Sequence, residues 1–361
     1  MSVKPEAASA LFAGPFALAT LSAPGGPAFP ALVTAGARVL DLRAALGDEH
    51  LTVRGLLEDW GTVLPRLSAL ADAGTDADGA GASAGAGVGA GAGVGAGAGA
   101  EAGPEYRPLA DFRVHAPVEP RQVFQSGANY RQHVIDLHVA HRDPADDRPE
   151  EERRAEAAEI MDRRAADDLP YVFIGLPSAI TGPYDDVVLP AWAEKPDWEL
   201  ELAAVIGRPA HRVSVEEALE HVAGYTIAND LTDRASVFRR DMPQIGTDWL
   251  RSKNAPGFTP LGPWIVPAAA VADPGDLRLV LKLNGETMQD ESTKDMIFDV
   301  ARMVSYASQS AELLPGDLVL TGSPAGNGMH WGRLLRDGDV MDGSITGLGA
   351  QRTRCVAETA R

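Results

Sequence analysis

The chain has 361 residues, 45% hydrophobic and 23% charged, with 51 acidic against 32 basic side chains and a formal net charge of −19. That apolar share fills a globular core, and a surface so negative repels phosphate backbones, which argues against nucleic-acid partners. One cysteine, Cys355, excludes an internal disulfide or a thiolate cluster; with no apolar run near the ~18 residues of a membrane span and no signal-peptide pattern over Met1 to Thr20, a soluble, cytoplasmic protein is expected.

Along the chain, Pro24-Gly25-Gly26-Pro27 is turn chemistry between two apolar runs. Arg38 to Leu42 reads as a strand. Thr52 to Leu70 has helical apolar spacing through Leu56, Leu57, Trp60, Val63, Leu64 and Leu67, with Pro65 expected to kink or break it. Gly79 to Ala100 is almost wholly Gly and Ala; lacking side chains to bury, it is expected to be a flexible linker. The expected division is a small N-terminal α/β domain over 1–75, a linker over 76–108 and a larger domain over 109–361.

Strand signals dominate the larger domain: Val187 to Pro190, Trp198 to Ile206, Gly224 to Ala228, Arg278 to Leu283 before an Asn284-Gly285 type I′ turn, and Asp317 to Thr321. One helix is expected from Lys294 to Leu313, with Ile297, Val300, Met303, Val304 and Ala307 as its apolar stripe. Many short strands and few helices predict an α+β, β-rich fold. The densely charged segment around 137–170, with a helix over Glu150 to Arg164, reads as a lid or as a solvated surface helix.

Chemistry concentrates in a few places. In a strand Trp198-Glu199-Leu200-Glu201-Leu202, the two glutamates share one face and the leucines the other. Two like charges on a largely buried face need neutralising, and a divalent cation with oxygen ligands would do so. Asp230, where the strand Gly224 to Ala228 gives way to a loop, can join them. Three carboxylates without Cys or paired His suit hard Mg²⁺ or Mn²⁺, with Ca²⁺ a further candidate, rather than Zn²⁺. Gly127 would allow a backbone turn and Asn129 would cap a helix, placing His133 and Asp136 as i, i+3 neighbours, a general-base arrangement. Lys253 stands before the turn Pro260 to Pro263. The Gly-rich loop Thr321-Gly322-Ser323-Pro324 offers backbone N–H groups and a hydroxyl to an anion.

In this order the segments resemble the fumarylacetoacetate hydrolase superfamily. The resemblance rests on Gly127-x-Asn129-Tyr130-x-x-His133-x-x-Asp136, Pro177-Ser178-Ala179, Asp197-Trp198-Glu199-Leu200-Glu201, Gly224-Tyr225 with Asn229-Asp230, Lys253, Asn284-Gly285-Glu286 and Thr321-Gly322-Ser323-Pro324. It covers about residues 115 to 350 and implies a mixed β-roll catalytic domain, a homodimer, and Mg²⁺ or Mn²⁺ on Glu199, Glu201 and Asp230. The implied substrate is a small 2-oxo acid or diketone whose C–C bond is hydrolysed, with His133, Asp136 and Lys253 catalytic and Tyr130, Arg234, Gly322 and Ser323 on the substrate. Decarboxylation, hydration or isomerisation would use the same site, and a non-catalytic binding protein is a further alternative. The family often carries Lys before Pro-Ser-Ala, where Phe173-Ile174-Gly175-Leu176 stand here, and Asp-x-Gln after the arginine, where Ala235, Ser236 and Val237 follow Arg234. Asp136 stands where Glu is common. The expectation is a less polar or bulkier substrate.

Overall fold

The computed structural model describes residues 11–81, 104–140 and 146–359. Strands β1 (Phe16–Ser22), β2 (Ala28–Thr34) and β3 (Arg38–Asp41) form an antiparallel meander, and Gly25 supplies a left-handed turn residue (φ 72°) between the first two. Helices α1 (Leu42–Leu46), α2 (Val53–Glu58) and α3 (Trp60–Gly81) follow. The expected single helix is interrupted at Asp59, not at Pro65: Asp59 leaves helical geometry (φ −124°, ψ 40°) and its carbonyl accepts from both Thr62 and Val63. Pro65 then sits in the second turn of a new helix, which forgoes one backbone bond and continues. Beyond Gly81, the Gly/Ala tract lies outside the described residues. After it, β4 (Arg107–Pro108) and β5 (Arg113–Val114) return to complete the first sheet, in the order β4-β3-β2-β1-β5.

The chain continues through β6 (Val123–Gly127), α4 (Arg131–Ala140), α5 (Glu150–Asp167), β7 (Tyr171–Gly175), β8 (Ile180–Thr181), β9 (Val187–Leu189) and β10 (Pro196–Asp197). Next come β11 (Leu200–Ile206), α6 (Val215–Ala218), β12 (Val222–Asn229), β13 (Thr232–Asp233), α7 (Trp249–Lys253), β14 (Thr259–Pro260) and β15 (Val266–Pro267). The last part holds β16 (Arg278–Leu283), β17 (Glu286–Ser292), α8 (Val300–Ser310), β18 (Leu318–Leu320), α9 (Gly328–Trp331), β19 (Val340–Ile345) and β20 (Gly349–Ala357). The fold is mixed α/β and sheet-rich, with a six-stranded sheet ordered β15-β12-β11-β18-β6-β7 and a five-stranded sheet ordered β17-β16-β19-β20-β9.

Strand β11 explains its own sequence. It lies between β12 and β18, so it is not an edge, and every residue from Leu200 to Ile206 is buried. Leu200, Leu202, Ala204 and Ile206 pack in one apolar cluster with Leu279 and Leu281 of β16, while Ala203 and Val205 pack in another with Leu18 and Leu32 of the N-terminal sheet. Burial on both faces produces the near-continuous apolar run. The N-terminal sheet is also tied to this layer by backbone bonds of 2.9 and 2.8 Å between Leu18 and Ile265.

Helix α8 is shorter than the expected Lys294 to Leu313. Asp299 caps it by accepting from the Arg302 N–H, and upstream the Ile297 and Phe298 amides bond to Asn129 instead of continuing the helix. Asn129 therefore does not cap α4; its side-chain NH₂ donates to the Phe298 and Thr321 carbonyls and ties three segments together. The left-handed residue at this corner is Ala128 (φ 54°), not Gly127.

Candidate active site

Antiparallel register assembles the acidic centre. Leu200 pairs with Asn229, so Glu199, one residue before β11, meets Asp230, one residue after β12, and the Asp230 N–H donates to the Glu199 carbonyl at 2.8 Å. Glu201 lies two residues further along the Glu199 face. Ligand oxygens of Glu199, Glu201 and Asp230 lie within 4.8 Å of one another and all three side chains are buried. The segment Trp249–Lys253, capped by Asp248, carries Lys253 into the cage from the other side, where its Nζ donates to Glu199 Oε2 at 2.7 Å and Asp230 Oδ2 at 2.5 Å. Arg234 bridges Asp197 Oδ2 (2.9 Å) and Glu199 Oε1 (2.6 Å).

The electrostatics of this cluster are lopsided. Four carboxylates, Asp197, Glu199, Glu201 and Asp230, face two cations, Arg234 and Lys253, an excess of two negative charges when all are ionised. Burial would raise the Glu199 carboxyl, but Arg234 and Lys253 outweigh it and hold it low. Burial, with Asp230 alongside, pushes Glu201 well above the ordinary carboxylate range. Burial also raises Asp230 against the pull of Lys253. Glu201 Oε2 accepts from the Gly322 N–H at 2.8 Å, while its Oε1 is buried without a partner. An all-oxygen donor set, a two-charge deficit and an orphaned carboxylate oxygen fit a hard divalent ion.

The other expected residues lie around this cage in varied ways. His133 is on α4 and 9% exposed; burial lowers its pKa to about 4, leaving the imidazole neutral at pH 7. Asp136 is not hydrogen-bonded to it. Gln132 Nε2 and Arg154 Nη1 donate to Asp136 Oδ1 at 2.9 and 2.8 Å, because the carboxylate turns toward α5. The Tyr130 hydroxyl is fully buried and unpartnered, and burial raises its pKa. Gly322 adopts φ 87°, but its N–H is taken by Glu201. Ser323 Oγ accepts from Gln289 Nε2 at 2.9 Å.

Three contributors had no site role in the sequence reading: Asp197, which was noted only as part of a motif and which anchors Arg234; Thr232, which donates to Glu199 Oε2 at 3.3 Å; and Gln125, which donates to Asp230 Oδ1 at 2.5 Å. A polar Gln125 inside the apolar start of β6 was the available signal for the last. The Phe173 ring lies 5.7 Å from Lys253 Nζ and stacks on Trp249 with centroids 4.4 Å apart, partnerships the sequence did not show. Among the described residues, no helix is long and apolar enough to cross a membrane.

Comparison with known proteins agrees with this geometry. Residues 122–356 match the family model of the fumarylacetoacetate (FAA) hydrolase C-terminal domain. The chain is 44% identical over 186 residues to 2,4-didehydro-3-deoxy-L-rhamnonate hydrolase of Sphingomonas sp. (strain SKA58), across 51% of this chain and 64% of that protein. It is 39% identical over 182 residues to a mitochondrial oxaloacetate tautomerase of Homo sapiens, across 50% of this chain and 57% of the relative. The matched part thus spans less than two thirds of the length of either protein. Among solved structures, the fumarylacetoacetate hydrolase of the psychrophile Exiguobacterium antarcticum is similar with a TM-score of 0.68 at 26% identity, covering 95% of this chain and 100% of that one. These relatives are enzymes, hydrolases and a tautomerase among them. With residues 122–356 inside the family match and its sheets like those of a solved member, the chain belongs to the fumarylacetoacetate hydrolase family.

Proposed function

We propose that this protein is a divalent-metal-dependent enzyme that hydrolyses a carbon–carbon bond in an acylpyruvate-like or fumarylacetoacetate-like substrate. The observation that carries the reading is the convergence of Glu199, Glu201 and Asp230, all buried, with ligand oxygens within 4.8 Å. These residues would hold Mg²⁺ or Mn²⁺, and the ion, when bound, supplies Lewis-acid polarisation of a substrate keto oxygen. Neutral His133 takes a proton from a water attacking the distal carbonyl carbon. The bond from that carbon to its neighbour breaks, and the neighbouring carbon recovers a proton, giving a carboxylic acid and a 2-oxo acid. Lys253 keeps positive charge beside the developing negative charge, and Asp136 ties α5 to α4, the helix of His133, through Arg154. Tyr130, Arg234, Gly322 and Ser323 line the substrate side, and the Phe173–Trp249 stack favours a less polar or bulkier acyl group. A cytoplasmic homodimer, with 137–170 acting as a lid, belongs to the same proposal.

Keto–enol tautomerisation is a second reading, favoured by one observation. Asp136 Oδ1 is taken by Gln132 and Arg154, and no hydrogen bond joins Asp136 to the His133 ring. A lone base suffices to move a proton between carbon and oxygen, whereas a base that activates water gains from a carboxylate partner. The test is a panel of acylpyruvates and 2-oxo acids with Mn²⁺ or Mg²⁺ supplied, read by mass spectrometry. Two acids identify hydrolysis, and an unfragmented substrate that takes up deuterium from D2O faster than without enzyme identifies tautomerisation or isomerisation. Turnover that persists undiminished in chelator would sink the metal reading.

A further inference from the structure

Gln125 is 1% exposed on β6 and uses only half of its amide. Its Nε2 donates to Asp230 Oδ1, while Lys253 holds Asp230 Oδ2, so both oxygens of that carboxylate are fixed by protein donors. The Gln125 Oε1 is buried without a partner. An unpaired interior amide oxygen costs free energy, and a leucine of similar volume would avoid that cost. The amide is therefore explained by what its N–H does, which is to aim Asp230.

The neighbouring strand makes room for this. Gln125 opposes Phe173 across the β6–β7 pair, which sets Gly175 diagonally beside it. A Cβ on Gly175 would stand 2.7 Å from both Cδ and Oε1 of Gln125, closer than side chains tolerate. Gly175 is not among the positive-φ glycines, so its backbone does not require glycine; the space does. The two positions form one unit, with the glycine as the seat of the amide.

We propose that Gln125, seated over Gly175, is a positioning residue that orients the Asp230 carboxylate for cation binding. This rests on the reading of Asp230 as a cation ligand. A donor on one carboxylate oxygen fixes the plane of the group and leaves its remaining lone pairs directed into the cage, as outer partners of metal ligands do.

The test uses the full chain, stripped with chelator and titrated with Mn²⁺ by calorimetry, with the thermal midpoint and the electron paramagnetic resonance spectrum of the bound ion recorded alongside. Gln125→Leu and Gln125→Ala are expected to weaken Mn²⁺ binding about 10–100-fold and to alter the spectrum. The thermal midpoint of Gln125→Leu is expected to lie below that of the wild type, since Asp230 Oδ1 loses its donor, but above the titration temperature, so that the affinity is read on folded protein. Gly175→Ala weakens binding by displacing the amide, yet adding it to Gln125→Ala costs nothing further, because the space is already vacant. Mn²⁺ affinity of Gln125→Leu within about twofold of wild type, or full additivity of the two alanine changes, overturns the inference alone. A wild-type chain that binds no Mn²⁺ fails the cation reading, and this inference falls with it.

Discussion

The acidic cage and the α4–α5 region are both dense in ionised side chains, yet they hold charge in opposite ways. In the cage, Lys253 is 3% exposed and Asp230 not at all, so the groups serve as one another's solvent. Around α5, Arg154 pairs with Asp136 and Glu150, Arg148 with Glu156, and Arg131 with Asp162, through arginines 39–47% exposed. Water and salt share the work there. Both regions would look equally rich in ion pairs by number, but only in the cage does removing a cation strand carboxylates in a dry interior.

The sharpest way to break this contrast is Lys253→Met. In chelator it should lose about 3 kcal/mol of unfolding free energy, measured by urea denaturation, because Glu199 and Asp230 lose their shared cation. Added Mn²⁺ should recover part of the loss by binding the folded state. A loss below about 1 kcal/mol would mean that the carboxylates find water or protons instead, and that the cage is not dry.

A smaller effect asks what holds α5 in place. Its inner face buries Ala157 and Met161, with Ile135 of α4 in the same apolar cluster. Met161→Ala is expected to cost about 2 kcal/mol in the same denaturation assay, more than any single ion pair of the helix. Equal effects from Met161→Ala and from an exposed arginine would erase the distinction between apolar anchoring and charge.

Much of the acidic centre was legible in the sequence because strand alternation is local: Glu199 and Glu201 share a face whatever the strand's partners are. Asn284-Gly285 was legible for the same reason, and both residues adopt the positive φ that a type I′ turn needs. Long-range partnerships were not. That Arg234 would bridge Asp197 and Glu199, that Asp136 would turn to Arg154, and that Gly175 would seat Gln125 depend on segments far apart in the chain. The start of α8 was partly readable, since Asp299 three residues before Arg302 is an N-cap signal. What displaced the expected start was Asn129 bonding Ile297 and Phe298, a contact from another part of the chain. The two short strands that close the first sheet after the Gly/Ala tract carry too little pattern to announce themselves.

The smallest expected effect is the most discriminating between the two regions. Arg154→Ala removes the pairs with Asp136 and Glu150, but Asp136 keeps Gln132 Nε2 and remains partly in water. The expected loss is about 0.5 kcal/mol at low ionic strength, read as faster amide hydrogen exchange along α5. In 1 M salt the screening length falls to about 3 Å, so the difference between Arg154→Ala and wild type should vanish. The Lys253→Met loss should survive the same salt, because counter-ions cannot reach a buried pair. If Arg154→Ala instead cost as much as Lys253→Met and resisted salt, α5 would be fixed by its charges as firmly as the cage is. A segment held that firmly could not open and close over His133, and the lid proposal would have to be given up.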